Sequence, residues 1–503
     1  MDVGLFFSSF SNIFQWDVLL MVFLGAAGGT LLGALPGLTA TMGVALLVPF
    51  TFGLPLTNSM GMLLGIYCGG MYGGSISAVL IRTPGTPSAA ATVLDGYPMG
   101  QKGEANRALA MSLFASVCGG LIGAAIMTVF SPLISMAAMS FSTAEFFCLA
   151  VFGLSIIVSI SGKSIAKGLM SAFFGLLLCT VGSDPISGYP RFIFGRMELY
   201  EGPPFIPTLI GLFAVSEVLS GVEKIIKSQK VESKIKNPFP SLADIKKCGP
   251  TIIRSAIVGC FIGAIPGAGG DIAAFVAYGT TKSISKYPEK FGTGVIEGIA
   301  APEAANNGCS GGAMIPLLSL GVPGDSVTAV LLGAFIMQGL QPGPLMYKEN
   351  LQDVYNVFCA MFAANFAVLI LGVILMPFFS SIISIDKNVL LPCIMILSLV
   401  GSYAMRNSMF DVFLTITFGV VGYLLQKFNF PLSPILLALI LGPMAESNLR
   451  RELVKSDGNI FVLFTRPISV VLLLLALGSL ILAVYNQSKI NKREAAAGEA
   501  SDS

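Results

Sequence analysis

Charged residues are scarce in this 503-residue chain, 11% against 54% hydrophobic, so a carboxylate set among glycines and prolines is its first candidate for chemistry. Asp271 ends the run GAIPGAGGD (263–271), Glu303 lies in PEAANNGCSGG (302–312), and Asp325 follows the PG of GVPGDSVTAVL (321–331). On insertion scales a charge at the centre of a membrane helix costs about 2.5–3.5 kcal/mol, so such a group is usually retained for a reason. Asp271, Glu303 and Asp325 are candidates for ion coupling, either by taking up protons or by holding Na⁺ beside unwound carbonyls. Asp271, Asn307 and Asp325 are the candidate Na⁺ ligands. The plainer alternative for Asp271 and Asp325 is that each merely caps a helix N-terminus. Asn306 and Asn307 have the donors and acceptors to read a carboxylate or ligate a cation. Arg82, in RTPGTPSAAAT (82–92), has the fork to pair with a carboxylate bidentately, or the length to snorkel to an interface.

Other chemistries lack their residues. Histidine is absent, and the nine cysteines are scattered with no C-x-x-C pair, which argues against a zinc site, a disulfide framework or an imidazole proton carrier. No catalytic residue or bound cofactor is expected, only a coupling ion, Na⁺ or H⁺. The run SGKS (161–164) resembles the end of a phosphate-binding loop, but Ile157 stands where that motif needs glycine. A net charge of +2 without a basic, aromatic-laced patch gives no sign of nucleic acid. The N-terminus lacks a basic region, so no cleavable signal peptide is expected.

The elements that must position these residues are membrane helices. Mean hydropathy is +0.82. Runs such as 357–379 and 469–485 approach the roughly 20 apolar residues that cross a bilayer. The expected fold is an all-α polytopic membrane protein of about 10–12 transmembrane helices, with re-entrant hairpins and broken helices. GALPG (33–37) and GAIPG (263–267) interrupt apolar segments, as do RTPG (82–85) and GVPG (321–324). Proline removes a donor and clashes with the preceding turn, while glycine accepts unusual φ/ψ. Irregular backbone at membrane depth is tolerated only when buried or lining a watery cavity, and the half-helix N-termini it exposes attract anions, carboxylates in particular. The candidate substrate-binding set is therefore Gly37, Thr39 and Thr41; Arg82, Thr83, Gly85 and Thr86; Gly267; Asn306 and Asn307; and Gly324 and Ser326. For one isolated break a simple kink is the better reading. Four breaks paired by a repeat favour a site.

The pairing is an internal duplication. YGGSISAVLIRTPGTPSAAATVLDG (72–96) answers SGGAMIPLLSLGVPGDSVTAVLLGA (310–334), and PTLIGLFAVSE (207–217) faintly answers PILLALILGPMAE (434–446). Equivalent loops carry opposite charge: TFGLPLTN (51–58) is uncharged where 282–290 holds three lysines, and 100–107 is basic where 341–350 is not. Alternation of this kind predicts two inverted repeats and an elevator-like or rocking movement, although NLRRELVKSDG (448–458) runs against it. The expected organisation is a first repeat at 1–221, a basic cytoplasmic linker at 222–250, a second repeat at 251–466, an extra helix at 467–486 and a disordered cytoplasmic tail at 487–503.

These same stretches, with GLQPGPL (339–345), resemble the large permease subunit of tripartite tricarboxylate transporters over about residues 12–460. The resemblance implies a small membrane subunit and an extracytoplasmic solute-binding protein as partners, and gradient-driven uptake, often with Na⁺, of citrate or another di- or tricarboxylate across the cytoplasmic (inner) membrane. The family pattern commonly has asparagine at the position of Arg82, and a small or hydroxyl residue at that of Asp271. The extra opposite charges at Arg82 and Asp271 either pair with each other or mark a substrate other than citrate, so the substrate stays open. A stand-alone transporter or a channel for another organic anion is the alternative.

Overall fold

The computed structural model describes residues 3–35, 37–160, 164–184, 186–223, 239–382 and 387–501. Pro36, most of the basic linker (224–238) and the SGK of the loop-like motif lie outside them. Among the described residues the regular structure is helical except for one two-residue ladder, β1 (Gly182–Ser183) with β2 (Pro190–Arg191). The helices in chain order are α1 (Val3–Ile13), α2 (Trp16–Ala34), α3 (Ala40–Thr51), α4 (Leu56–Ile81), α5 (Ala90–Met99), α6 (Ala105–Ala138), α7 (Thr143–Ile160), α8 (Ile165–Cys179), α9 (Phe205–Leu209) and α10 (Ser216–Glu223). They continue with α11 (Leu242–Gly263), α12 (Gly269–Ile284), α13 (Glu297–Leu320), α14 (Ser326–Met337), α15 (Met346–Glu349), α16 (Leu351–Ile382), α17 (Lys387–Arg406), α18 (Met409–Lys427), α19 (Ser433–Lys455), α20 (Val462–Thr465) and α21 (Pro467–Ser501). Among the described residues, eight helical segments are long and apolar enough to cross a membrane, and four shorter apolar helices accompany them. This is an all-α polytopic membrane protein.

Each expected interruption separates a long helix from a short one: α2 from α3, α4 from α5, α11 from α12 and α13 from α14. Glycine stripes seat the long helices against one another. Gly25, Gly29 and Gly33 of α2 lie against the carbonyls of Met62, Ile66 and Gly70, while Gly65, Gly69 and Gly73 of α4 lie against α2 in return. In the second half Gly259 and Gly263 meet the carbonyls of Ala305 and Cys309, and Gly308 and Gly312 meet those of Ala256 and Cys260. At this approach a Cβ would strike backbone, so the small-xxx-small spacings serve packing. Helix α13 carries Glu303, Asn306 and Asn307 inside the protein: every residue from Gly298 to Ser319 is buried.

The chain forms two compact units, Met1–Met139 with Leu209–Val420, and Ser140–Thr208 with Val421–Ser503. Each draws on both sequence halves. The first holds all four broken elements. In the second, Arg191 pairs with Glu446 at 2.6 Å, Arg466 with Glu145 at 3.0 Å, and Arg450 joins Asp184 to Glu446, so one cation of the discordant 448–458 stretch is held in a structural network. Helix α21 runs on to Ser501, through the segment read from sequence as a disordered tail; KREAAAGEA is rich in good helix formers.

Candidate substrate and ion site

The first break, between α2 and α3, turns at Gly37, whose φ of +95° is open to glycine at little cost. Thr39 then caps α3, its Oγ1 accepting from the Met42 amide at 3.1 Å. The second break starts at Arg82, which ends α4 in the left-handed region at φ 59°. Its counterpart in the repeat is Gly321, at φ 71°. The Arg82 side chain is exposed, lies 5.7 Å over the Tyr97 ring and has no carboxylate at ion-pair distance among the described residues. It is not paired with Asp271. Thr83 is likewise exposed. Thr86 occupies the cap position of the short turn Pro87–Ala89 without making the side-chain cap its type suggests, because its hydroxyl is bonded to Ser88 Oγ at 3.0 Å and pressed against Gly74.

Within each half the PG-turn glycine lies against the carbonyl that opens the other break. The backbone hydrogen bonds differ: in the first half the bond stays within one break, and in the second it joins the two. The Gly85 amide donates to Gly74 O at 3.1 Å, and a Cβ on Gly85 would collide with Gly33 O. In the second half the Gly267 amide donates to Gly324 O at 2.7 Å, and a Cβ on Gly324 would collide with Gly263 O. Gly33 and Gly263 are the first residues of GALPG and GAIPG; Gly85 and Gly324 are the glycines of the two PG turns.

The halves also meet each other. Thr41 Oγ1, in the first turn of α3, lies 2.8 Å from Ser326 Oγ at the start of α14. Helix α12 packs against the Pro87–Ala89 turn as α14 packs against α3. Asn306 Nδ2 donates to Met71 O at 2.9 Å, which ties α13 to α4. Farther out, Asp95 of α5 collects the amides of Gly292, Gly294 and Val295 on Oδ1 at 2.7–2.9 Å and the Tyr278 hydroxyl on Oδ2 at 2.9 Å. Reciprocally, Gln338, just past α14, donates to Thr51 O and Ser59 Oγ at the loop between α3 and α4. Each short helix is thus anchored to the other half.

The carboxylates divide into three environments. Asp325 is 4% exposed and fully engaged: Oδ1 accepts from the Thr328 amide and hydroxyl, each at 2.7 Å, its own amide donates to Thr328 Oγ1 at 2.8 Å, and Oδ2 accepts from Tyr67 at 2.7 Å. This is a complete capping box on α14, extended by a tyrosine of the other half. Asp271 is exposed in the first turn of α12, where the cap position belongs to Ala268, and so it is not an N-cap. Glu303 is wholly buried and accepts from Thr92 of α5 and Ser116 of α6, so it locks those helices to α13 apart from the other two acids. Asn307 spends its amide on Glu303 O, one turn back in its own helix, at 3.1 Å. Asn306 differs: it is 0% exposed, and its Oδ1 has no donor while facing Gly270, the residue before Asp271. No cluster of three or more metal-ligating side chains occurs among the described residues.

Three residues here have no forewarning in the sequence reading. Tyr67 and Asp95 act on partners about 200 residues or more away. Glu217 of α10 brings its Oε1 to 3.1 Å from where a Cβ on Gly37 would stand. The only signal for Glu217 was its place at the end of the faint repeat match.

Broken helices from both sequence halves meet here, with helix N-termini and carboxylates at the junction, an arrangement that suits a membrane transporter. The match to known proteins makes this specific. The profile of the tripartite tricarboxylate transporter TctA family covers residues 19–437, and the chain belongs to that family. A protein of Agrobacterium vitis described as an uncharacterized 52.8 kDa protein in the TAR-I ttuC' 3'region is 37% identical over 462 residues, 92% of either chain. A second from the same organism, an uncharacterized protein in the TAR-II ttuC' 3'region, is 38% identical over 226 residues, 45% of this chain and 93% of its own. No solved structure matches.

Proposed function

We propose that this chain is the large membrane subunit of a tripartite system that takes up a di- or tricarboxylate such as citrate across the cytoplasmic membrane, driven by a gradient of Na⁺ or H⁺. It would receive substrate from an extracytoplasmic binding protein and act with a small membrane subunit. The observation that carries the reading is the meeting of four helix breaks, two from each repeat, through Gly85 with Gly33, Gly267 with Gly324 and Thr41 with Ser326. The N-termini of α3, α12 and α14 and the turn at Pro87 supply amides and partial positive charge for carboxylates, and exposed Arg82 adds a full one.

For the coupling ion, the distribution of unused acceptors favours Asp271 over Asp325. Both Asp325 oxygens already have side-chain donors, whereas Asp271 accepts only from nearby backbone amides and stands next to the residue faced by the orphan Asn306 Oδ1. A buried acceptor without a donor is a place where a cation binds without displacing a hydrogen bond. The alternate sealing of such a site suits an elevator-like or rocking movement of the broken-helix core.

The test is uptake of labelled citrate, and of a panel of smaller dicarboxylates, into proteoliposomes holding this chain, the small subunit and the loaded binding protein. Uptake should require an imposed Na⁺ or proton gradient, and Asp271→Asn should lose the ion dependence while Asp325→Asn keeps it. Equal uptake of every carboxylate with no gradient and no binding protein would overturn the reading in favour of a channel.

A further inference from the structure

The end of the first unit nearest the basic linker carries a cavity of about 760 Å³ that the transport reading does not use. It is bounded by the start of α6, the first half of α11, the end of α12 and the loop leading to α13. Five cations line it, Arg107, Lys247, Arg254, Lys286 and Lys290, against one carboxylate, Glu297. Two of the five are already neutralised: Lys247 by Glu297 at 2.8 Å, and Arg107 by Asp244 at 2.6 Å. The other three have no carboxylate partner among the described residues. Arg254 donates only to Thr281 Oγ1 at 3.1 Å, and Lys290 stands 4.5 Å over the Tyr287 ring. Three uncompensated cations around one cavity create a potential that only an anion relieves.

The cavity continues into a second depression. A groove of about 640 Å³ runs along the outer face of α11, lined by Gly249, Pro250, Ile253, Arg254, Ile257 and Val258. Pro250 and Arg254 line both spaces, so the basic cavity opens directly onto the apolar groove. Gly249 leaves the head of the groove clear, with nothing within 4 Å of where its Cβ would be. Beyond it Ile253, Ile257 and Phe261 are 55%, 42% and 74% exposed at i, i+4 spacing. These side chains form an exposed apolar stripe along one face of α11, of the kind that suits an acyl chain. A free phosphate or a soluble polyanion would use the cavity and leave the groove empty.

We propose that this pair of spaces is a binding site for an anionic phospholipid, its phosphate held by Arg254, Lys286 and Lys290 and one acyl chain lying along Ile253 and Ile257 of α11. Basic pockets between transmembrane helices take lipid phosphates on the same principle, and each Lys or Arg near an anionic membrane surface strengthens binding several-fold. A lipid wedged between α11, α12 and the loop before α13 would brace the helices that carry GAIPG and Asn306.

The full chain, purified and returned to nanodiscs of phosphatidylcholine with graded phosphatidylglycerol, supplies the test. Native mass spectrometry counts the phosphatidylglycerol that survives removal of bulk lipid. The wild type should retain it in preference to phosphatidylcholine. Arg254→Gln/Lys286→Gln/Lys290→Gln should weaken retention by about tenfold or more. Gly249→Leu, which fills the head of the groove, should weaken it too while leaving the binding of inorganic phosphate unchanged. Should the triple variant fail to fold, the exposed pair Lys286→Gln/Lys290→Gln reads the same loss. Undiminished retention in the folded cation variants overturns the proposal. So does displacement of the lipid by millimolar inorganic phosphate with indifference to Gly249→Leu, which would assign the cavity to a free anion. None of these readouts depends on transport.

Discussion

Tyr67→Phe isolates one bond between the two halves of the site. It deletes the hydroxyl that donates to Asp325 Oδ2 at 2.7 Å and keeps the ring, which is 0% exposed. Asp325 is 4% exposed, so solvent is not at hand to replace the lost donor. A hydrogen bond to a charged group contributes about 1.5–3 kcal/mol, and that is the expected destabilisation. Asp325→Ala removes more. It abandons the cap on α14, worth about 1 kcal/mol, and leaves the Tyr67 hydroxyl and the Thr328 amide buried without their acceptor, at about 1–3 kcal/mol each. The double variant should then cost less than the sum of the singles by the energy of the shared bond, a coupling of about 0.5–3 kcal/mol. Reversible unfolding in mixed micelles of increasing SDS fraction, followed by near-ultraviolet circular dichroism, gives all four corners of the cycle. If Tyr67→Phe lies within about 0.5 kcal/mol of wild type and the cycle closes additively, Asp325 does not lean on Tyr67 and the cross-repeat capping argument fails.

Four further outcomes follow from other contacts. Gly85→Ala and Gly324→Ala force a methyl group into a backbone carbonyl and should each cost about 1–3 kcal/mol or more in the same assay, while Gly279→Ala, in open space on α12, should be neutral or slightly stabilising. Asp95→Ala orphans three amides at once, so hydrogen exchange at Gly292, Gly294 and Val295 should accelerate by at least tenfold relative to α13; unchanged protection would show that Asp95 does not hold that loop. Asp184 is held below the usual carboxylate range by the Ser187 amide and by Arg450, so its contribution to stability is present above about pH 4 and is lost as pH falls through its lowered pKa; Asp184→Asn should melt earlier than wild type at pH 7, with the gap closing at the acid end. Arg82→Gly relieves a left-handed non-glycine residue, worth about 1 kcal/mol, and removes the exposed cation at the break, so it should raise the melting temperature while lowering apparent affinity for substrate; a change in neither removes Arg82 from the site.

What the sequence made legible was local. Proline and glycine report backbone breaks wherever they occur, so all four interruptions could be placed within a few residues, and the D-S-V-T run already contains both partners of the α14 capping box. The glycine spacings gave the helix seams for the same reason, since a period of four puts small residues on one face. Asp95 shows the limit. Within VLDGYP it looks like a turn residue, yet it lies inside α5 and gathers amides 197 to 200 positions downstream. No pattern in its neighbourhood encodes that distance. Asn306 and Asn307 read as a pair because they are adjacent, but on a helix adjacent residues point about 100° apart, and one faces Gly270 while the other folds back on its own helix.

The duplication carries information that neither half holds alone. With Gly85 set against Gly324, Arg82 falls opposite Gly321, and both end their helices in the left-handed region. One copy keeps the residue that the conformation prefers; the other keeps a bulky cation at a cost of about 1 kcal/mol. Tyr67 likewise stands opposite Asn306, and each reaches across to the other half, the first to Asp325 and the second to the Met71 carbonyl. Positions that pack backbone against backbone, such as Gly33 with Gly85 and Gly263 with Gly324, repeat without change because geometry leaves no alternative. Polar positions of the breaks have diverged: Thr41 against Asp271, Thr86 against Asp325 and Arg82 against Gly321. Under the proposed function this divergence has a reason: a site shared by two repeats need not be symmetric when the molecule it binds is not. The diverged positions are then where substrate and ion are told apart.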